Sequence, residues 1–345
     1  MASAADIGID LGTSNVLIYA RGKGIVLNEP AVVALERDTR SIRAIGTEAH
    51  RMIGRTPSSI AALRPLREGM VSDFELTSSM LHYFVTQVIG KRMFARPRAV
   101  LSLPSGVNEM EKRSISAIMF EAGARRTQLL DRPVAAAIGA GINITDAYGS
   151  MIVDIGAGMT DIAVLSLGRV IVSDAAKLGG DHFDDAIIRY LRRKHNLLIG
   201  ERTAEELKIN IGSAMPRAEQ MYLDVTGRNL ISGLPKLMRI TSDEIYEAID
   251  DPLTALIEAI HAVLEHTPAE LAADVFDNGI VLSGGGARLS GLADAISTAL
   301  KVDCRVADNP QECVATGCGL TLENVRRMLE LGCDYIPSNC MHGVL

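Results

Sequence analysis

The sequence predicts an α/β protein made of two similar halves that face each other across a cleft. Three observations lead to this prediction. Apolar runs of strand length alternate with segments of helical period, one glycine-containing motif occurs twice, and the chain of 345 residues is longer than one ordinary core accommodates. No low-complexity stretch and no long linker interrupts the alternation. We therefore expect two α/β domains that share a duplicated plan.

Individual elements follow from local patterns. Short apolar runs bounded by turn residues are typical of strands, and the predicted strands are IGIDLG, NVLIYA, PAVVAL, RAVLSL, MIVDIG, DIAVLSL, RVIVSDA and NGIVLSGG. Segments with apolar residues every three or four positions favour helices, and these are LTSSMLHYFVTQVIGKR, NEMEKRSISAIMFEAG, HFDDAIIRYLRRKH, TAEELKINIGSA and SDEIYEAIDDPLTALIEAIHAVLEH. In LLDRPVAAAIGAG (129–141), a helix is expected to begin at Pro133 with Arg132 at its N-cap.

The repeated motif joins two strands through a turn. IGIDLGTSNVLIY (7–19) and IVDIGAGMTDIAVL (152–165) each contain an apolar strand, an aspartate, a glycine-containing turn, a threonine and a second apolar strand. The aspartates of the two copies are Asp10 and Asp154. A duplicated domain with a cleft between the copies would explain this internal similarity.

Each copy of the motif has the chemistry of a phosphate-binding turn. Glycine lets backbone N–H groups approach an anion closely, and the hydroxyls of Thr13, Ser14 and Thr160 can hold phosphate oxygens. An aspartate at the end of the preceding strand can hold a hydrated Mg²⁺ ion. One such turn alone is better explained as an ordinary hairpin, whereas two facing turns favour a clamp for a nucleoside triphosphate.

Two later segments could complete such a site. VLSGGGARLSGL (281–292) places a glycine cluster between a buried strand and a helix, where backbone N–H groups suit a sugar or an α-phosphate. In EELKINIG, Glu205 and Lys208 are three residues apart and therefore share a helical face. The alternative for this pair is a solvent-exposed salt bridge.

Taken in order, these motifs resemble the actin and sugar-kinase ATPase superfamily. The resemblance is closest to the bacterial actin homologue MreB and its paralogues, through GKGIVLNEPAVVAL, MIGRTPSSIAALRPLREGMVSDF, NLLIGERTAEELKINIGSA and TPAELAADVFDNGIVLSGGGA, and it extends from about residue 6 to about 325. It implies an actin-like ATPase fold with four subdomains around an ATP-Mg²⁺ cleft. The implied divisions are a first domain at 1–150 with an insertion at about 32–75, a second at 151–330 with an insertion at about 183–250, and a tail at 331–345.

The resemblance also implies a set of site residues. The first phosphate turn maps onto Asp10, Gly12, Thr13 and Ser14, and the second onto Asp154, Gly156, Ala157, Gly158, Met159 and Thr160. A following GGD segment is Gly179, Gly180 and Asp181, and the adenosine contacts map onto Glu205, Lys208, Gly284, Gly285, Gly286 and Ala287. Asp10 and Asp154 would hold Mg²⁺ through water. MreB-like second turns usually read Gly-Gly-Gly-Thr-Thr, so Ala157 replaces a glycine and Met159 replaces a threonine. An alanine costs little where its φ is negative.

The residues before Pro133 depart further from the family pattern. MreB-like proteins usually have Glu-Glu-Pro where this chain has Asp131-Arg132-Pro133, and the glutamate just before the proline positions the attacking water. Arginine carries only donors, so it cannot orient that water, but it could pair with a phosphate oxygen. We therefore predict that the chain binds ATP and polymerises but hydrolyses ATP slowly. The alternatives are that Asp131 reaches the water instead, or that Arg132 turns outward.

The function implied by the resemblance is polymerisation into paired protofilaments beneath the cytoplasmic membrane. There, MreB-like filaments organise wall synthesis and rod shape with cell-wall morphogenesis proteins.

In IGKRMFARPRAV (89–100), Met93 and Phe94 lie among four basic residues, a composition that suits an anionic bilayer. The basic residues are Lys91, Arg92, Arg96 and Arg98. The alternative is a loop whose apolar side chains fold back into the core.

Composition excludes several other classes. A net charge of −7, no tryptophan and only 4% aromatic residues argue against nucleic-acid binding. The five cysteines have no Cys-x-x-Cys spacing, which indicates reduced cytosolic thiols, and Cys333 and Cys340 are expected to belong to an unstructured end. With neither a signal peptide nor an 18-residue apolar run, the protein is expected in the cytoplasm.

Two other members of the superfamily are alternatives to a filament protein. An ATP-dependent sugar kinase is the main alternative, but it needs a catalytic base over an acceptor hydroxyl, and no segment beside the two phosphate turns supplies one. A chaperone ATPase would need a peptide-binding domain after residue 330, where only about fifteen residues follow. The cytoskeletal interpretation is therefore favoured.

Overall fold

The computed structural model describes residues 6–90, 96–323 and 335–337. The first half of the chain is built around one large sheet. Strands and helices alternate as the sequence predicts. In chain order the elements are β1 (Ile7–Leu11), β2 (Asn15–Ala20), β3 (Gly24–Pro30), β4 (Val33–Glu36), β5 (Ile42–Ile45), α1 (Thr47–Met52), β6 (Ile60–Leu63), β7 (Leu66–Arg67), β8 (Met70–Val71), α2 (Phe74–Ile89), β9 (Arg98–Leu103), α3 (Glu109–Glu121), β10 (Arg126–Asp131) and α4 (Arg132–Gly139).

The second half is built around another large sheet, and the chain then returns to the first. Its elements are β11 (Ser150–Ile155), β12 (Thr160–Ser166), β13 (Arg169–Ala176), α5 (Gly180–His195), β14 (Leu197–Leu198), α6 (Glu201–Ile211), β15 (Tyr222–Asn229), β16 (Pro235–Thr241), α7 (Ser242–Glu265), α8 (Ala269–Asn278), β17 (Ile280–Ser283), α9 (Leu292–Leu300), β18 (Cys304–Val306), α10 (Cys313–Glu323) and β19 (Tyr335–Pro337).

The two large sheets repeat one plan. The strand order is β19-β10-β9-β1-β2-β3 in the first sheet and β13-β12-β11-β17-β18 in the second. In each sheet the strand that carries the aspartate motif, β1 or β11, pairs antiparallel with the next strand and parallel with a later one. The predicted duplication of two α/β halves is confirmed. Because β1 and β11 occupy equivalent places, their carboxyl ends present equivalent turns.

Two small antiparallel sheets lie within the segments that the sequence marks as insertions. Strand β4 lies between β5 and β6 in one of them, and β15 lies between β14 and β16 in the other. The two-residue strands β7 and β8 form a separate hairpin. Its tip residues, Glu68 and Gly69, have φ of 48° and 72°. Positive φ at both central positions is typical of a type I′ turn, which matches the twist of a tight hairpin.

Helices α4 and α10 join the two halves. They pack against each other, and α10 also contacts β1. A Cβ at Gly139 would overlap the backbone of Cys313, and one at Gly317 would overlap that of Ala135, so the helices approach at backbone distance. Their buried side chains share one core with both large sheets. Although the sequence-based division assigns α10 to the second domain, the structure packs it on the first sheet.

The predicted tail contributes a strand. Tyr335–Pro337 (β19) pairs antiparallel with β10 at the edge of the first sheet, which differs from the expected unstructured end. A three-residue strand is too short to show an alternating pattern in the sequence. Cys333, Cys340, Met93 and Phe94 lie outside the described residues. Within the described ranges, no helix is both long enough and apolar enough to cross a bilayer.

Candidate functional site

A cavity of about 400 Å³ opens between the two halves at the ends of β1 and β11. Segments that are far apart in the chain contribute to its wall. Most of the residues singled out in the sequence line it, namely Asp10, Gly12, Thr13, Ser14, Arg132, Asp154, Gly156, Ala157, Gly158, Met159, Gly180, Asp181, Glu205, Lys208, Gly284, Gly285 and Gly286. The structure therefore brings both repeated turns, the third glycine cluster and the Glu205–Lys208 segment into one site.

Equivalent backbone groups form a hydrogen bond in each of the two repeated turns. The N–H of Gly12 donates to the carbonyl of Asn15 at 3.0 Å, and the N–H of Gly156 donates to the carbonyl of Met159 at 2.9 Å. Each turn therefore closes over four residues and presents its middle residues to the cavity. The sequence similarity between the halves thus extends to backbone geometry.

The non-glycine residues of the second turn are accommodated without strain. Neither Ala157 nor Met159 is among the residues with positive φ. A Cβ at Gly158, by contrast, would lie 3.0 Å from the Thr13 hydroxyl and 3.1 Å from the backbone of Glu68. The tight position in this turn is therefore Gly158, and the substitution at Ala157 costs little, as the sequence suggested for a negative φ.

The hairpin of β7 and β8 bridges the two turns. The N–H of Gly69 donates to the Thr13 hydroxyl oxygen at 2.9 Å. Glu68 forms a 2.8 Å ion pair with Lys177, which belongs to the second half. A Cβ at Gly69 would overlap the sulfur of Met159. One loop of the first half therefore touches both predicted phosphate turns.

The start of α5 is docked on the second turn. The N–H groups of Gly180 and Asp181 donate to the carbonyls of Gly156 and Ala157 at 3.0 and 2.8 Å. These N–H groups, which a helix start otherwise leaves unpaired, are thus satisfied by the turn. Gly179 is needed for this approach, because a Cβ there would lie 2.5 Å from the carbonyl oxygen of Ala157.

The third glycine cluster lies flat against β11. Gly284 has φ of 81°, and a Cβ on it would overlap the carbonyl oxygen of Ile155. A Cβ on Gly286 would overlap the side chain of the same isoleucine. Only glycine permits this contact, which leaves a flat backbone surface of the kind suited to a sugar or base.

Lys208 is held by the neighbouring helix. Its Nζ donates to Asp184 Oδ2 at 2.7 Å and to the carbonyl of Gly180 at 2.9 Å. Burial raises the pKa of Asp184 to about 7, although Lys208 opposes the rise. The alternative of a surface salt bridge between Glu205 and Lys208 is therefore wrong, because the ion pair of Lys208 is with Asp184.

Arg132 lies at the base of the cavity, with only 4% of its surface exposed. Its Nη2 donates to Asp10 Oδ1 at 3.3 Å and to the carbonyl of Leu11 at 3.2 Å. Burial acts to lower the pKa of Arg132, but the charges of Asp10, Asp161 and Asp154 outweigh it, so the pKa is raised. The alternative of an outward-turned Arg132 is excluded.

The charges of three aspartates act on this guanidinium group, and two of them, Asp154 and Asp161, are buried. Burial raises the pKa of Asp10 and Asp161, and it raises that of Asp154 to about 7, while the charge of Arg132 opposes the shift in each case. Ser102 and Ser283 donate to Asp10 Oδ1 and Asp154 Oδ1 at 3.2 and 2.8 Å. The single positive charge of Arg132 therefore favours the ionised form of all three carboxyl groups.

Four predicted site residues do not line the cavity. Asp131 is exposed and acts as the N-cap of α4, which begins at Arg132, one residue earlier than expected. Thr160 is fully buried and donates its hydroxyl proton to the carbonyl of Leu178 at 2.7 Å. Gly179 lies behind the second turn, and Ala287 is buried. Asp131 is thus poorly placed to substitute for a hydrolytic glutamate.

The predicted magnesium ion does not fit these side chains well. Asp10 Oδ1 already receives hydrogen bonds from Arg132 and Ser102. Asp154 Oδ1 is held by Ser283, and both carboxylates already share the Arg132 charge. The guanidinium group of Arg132 therefore lies against Asp10, one of the two carboxylates from which the Mg²⁺ site is predicted.

Several lining residues escaped the sequence-based prediction. Asn28 on β3 accepts a hydrogen bond from Asn15 at 2.8 Å, and Gln311 comes from the segment before α10. Asn28 lies in the family-specific stretch GKGIVLNEPAVVAL, but nothing in that stretch marks its side chain as part of the cavity, and Gln311 lies in none of the motifs that the sequence shows. The lining residues that the sequence did not single out are Asn15, Leu17, Asn28, Phe183, Ile209, Arg288, Leu289, Ser290, Gln311 and Val314.

Comparisons with known proteins agree on one family. A family model described as MreB/Mbl protein matches residues 4–330. The cell shape-determining protein Mbl of Bacillus cereus is 46% identical over 94% of this chain and 98% of its own length. The cell shape-determining protein MreB of Escherichia coli K12 is 46% identical over 93% of this chain and 94% of its own length.

Solved structures agree with the sequence comparison. MreB5 of Spiroplasma citri was crystallised with ADP and with AMPPNP, and both structures superpose with a TM-score of 0.89 at 35% and 34% identity. The aligned regions cover 94% and 96% of this chain, and 98% and 100% of theirs. A MamK double helical filament matches with a TM-score of 0.78 at 22% identity over 92% of this chain and 98% of its own, and so supports the actin-like fold alone.

Proposed function

The chain belongs to the MreB/Mbl family of cell shape-determining proteins, and from this premise we propose that it binds ATP and polymerises into actin-like filaments. The observation that carries the proposal is the pair of equivalent turns facing one cavity between duplicated halves. MreB5, which shares the fold, is known with ADP and AMPPNP. We further propose that the filaments act in the cytoplasm, at the inner face of the membrane, with proteins of cell-wall synthesis.

The cavity suggests how the nucleotide is held. Backbone N–H groups and hydroxyls of the turns at Thr13 and Gly158 would hold the β- and γ-phosphates. The flat glycine surface at Gly284–Gly286 would take the sugar, and Glu205 and Lys208 on α6 would contact the adenosine. Since these groups come from both halves, bound nucleotide would hold the halves together.

Hydrolysis is proposed to be slow. Attack on the γ-phosphate requires a water that is oriented by an acceptor. Arg132 faces the cavity but offers donors only, and Asp131 lies outside the cavity. Arg132 instead would bind a phosphate oxygen and retain the nucleotide.

Self-assembly is supported by an apolar surface on the small sheet of the second half. The loop between β15 and β16 exposes 81% of Ile231 and 65% of Leu234, and the adjacent Leu237 is 68% exposed. The loop backbone is nevertheless ordered, because Asn229 Oδ1 accepts from the N–H groups of Ile231 and Ser232, both at 2.9 Å. An ordered apolar surface of this kind suits burial against a second copy.

Pelleting and electron microscopy with and without ATP test the main proposal. We expect the protein to sediment with ATP and to form paired protofilaments, because nucleotide bound between the halves favours one relative arrangement of them. The nucleotide-free protein is the control and is expected to sediment less. A protein that stays monomeric with and without ATP would contradict the proposal.

Membrane attachment is proposed through Met93 and Phe94. The surrounding charge is smaller than the sequence suggests, because the guanidinium of Arg98 is paired with Asp6. The sequence also places Lys91, Arg92 and Arg96 beside the two apolar residues, and a basic side chain near an anionic surface contributes about 1 kcal/mol.

Flotation with anionic liposomes tests this attachment. The double variant Met93→Ser/Phe94→Ser is expected to lose most of the floating fraction, because the two apolar side chains supply the inserted area. Met110→Ser removes an exposed methionine from α3 and serves as the matched control, with flotation unchanged. Equal flotation of all three proteins would reject this loop as the anchor.

A further inference from the structure

The charge balance at the base of the cavity is unusual for a site that is to receive a metal-bound nucleotide. The buried guanidinium group of Arg132 donates to Asp10 Oδ1 at 3.3 Å, and the charges of Asp154 and Asp161 also act on it. A divalent cation brought to these carboxylates would have to approach that fixed positive charge closely. The repulsion is strong, because the group is shielded from solvent.

Arg132 also retains hydrogen-bonding capacity for a ligand. The hydrogen bonds that it makes within the described part of the chain come from Nη2, to Asp10 and Leu11. Its Nε has no partner among the described residues but is itself buried, so the donors left for a ligand are on the terminal nitrogens. Arg132 lines the cavity, so the guanidinium can bind aspartate with one edge and offers further donors for a phosphate oxygen.

The side chain of Arg132 is fixed in this place by the fold. It starts α4, whose close contact with α10 holds the helix against both halves. Its charge is permanent, because a guanidinium group does not lose its proton in proteins. Unlike a bound metal ion, it cannot dissociate or be removed by a chelator.

We propose that the guanidinium group of Arg132 replaces the divalent cation at this site, so that the chain binds adenine nucleotides without requiring Mg²⁺. This inference rests on the proposed nucleotide binding. Arg132 balances the charge of Asp10 and Asp154 and bonds the phosphate end of the nucleotide. Nucleotide retention then depends on the chain alone.

Calorimetric titration with ADP and with ATP, in Mg²⁺ and in EDTA, tests the proposal. For the wild-type protein we expect dissociation constants in the two buffers to agree within about threefold. Arg132→Met removes the internal cation and leaves three carboxylates, so its binding is expected to weaken at least about tenfold when Mg²⁺ is replaced by EDTA. Arg132→Lys keeps a positive charge and is expected to bind more weakly than wild type but equally in both buffers.

Arg288→Met is the matched control. Arg288 also lines the cavity, but it lies beyond the third glycine cluster and is solvent-exposed. Its loss is expected to change affinity by the same factor in Mg²⁺ and in EDTA. Thermal melting of each variant checks folding, and if Arg132→Met does not fold, the wild-type and Arg132→Lys titrations still decide the question.

The outcomes separate this inference from the function on which it rests. Wild-type binding in Mg²⁺ that is lost in EDTA would overturn the inference and leave nucleotide binding intact. Absence of binding in both buffers would overturn the proposed function itself. Equal metal dependence of wild type and Arg132→Met would also overturn the role assigned to Arg132.

Discussion

Arg132→Glu is expected to raise the rate of phosphate release from ATP at least about tenfold, measured with Mg²⁺ present. Arg132 faces the cavity with donors only, whereas glutamate can accept a hydrogen bond from water and orient it towards the γ-phosphate. The glutamate would also add a fourth carboxylate beside Asp10, Asp154 and Asp161, so the variant needs the metal that the wild type does not. Thermal melting in the same buffer confirms that it folds.

Asp131→Asn is the control for this rate measurement. Asp131 is exposed and does not line the cavity, so its replacement is expected to leave phosphate release at the wild-type rate. A marked fall in the Asp131→Asn rate would show that this carboxylate reaches the water. Equal rates in wild type and Arg132→Glu, with nucleotide bound in both, would contradict the role assigned to position 132.

Ile231→Asp combined with Leu234→Asp is expected to abolish sedimentation in ATP while leaving ADP affinity unchanged. Both side chains lie on the ordered loop between β15 and β16, outside the residues that line the cavity. Buried apolar area contributes about 25 cal/mol for each Å² removed from water. An unpaired aspartate in the same contact instead costs desolvation energy that nothing offsets.

Ile171→Asp tests whether the loss is specific to that loop. Ile171 is also exposed, but it lies on β13, the edge strand of the five-stranded sheet. We expect this variant to sediment like wild type. Sedimentation of the double variant at the wild-type level would show that filaments assemble through another surface, and loss of ADP binding would show that the substitutions disturbed the fold.

Much of the candidate site could be predicted because its parts are local. In each half a strand, an aspartate and a glycine turn are consecutive, so the sequence shows their order directly, and the matching hydrogen bonds at Gly12 and Gly156 follow from that order. The cluster at Gly284–Gly286 is also contiguous. Short-range patterns of this kind survive folding because the turn itself determines their backbone geometry.

The pairings between charged groups could not be predicted. Lys208 has a carboxylate on its own helical face, Glu205, yet it pairs with Asp184 from the preceding helix. Asp161 enters the site from β12, and its Oδ1 accepts from the N–H of Ser105 in the other half at 2.8 Å. Such partners are separated along the chain, so their distances depend on how the helices and sheets pack.

The sequence by itself determined the two-halved α/β plan, the phosphate-type turns and the presence of an arginine before Pro133. Only the tertiary structure decided where that arginine points. The close crossing of α4 and α10 holds the start of α4 against both halves, and buries Arg132 among Asp10, Asp154 and Asp161. The reason is physical: residue order specifies local backbone geometry, whereas the burial and charge environment of a side chain arise from segments that meet only when the chain is folded.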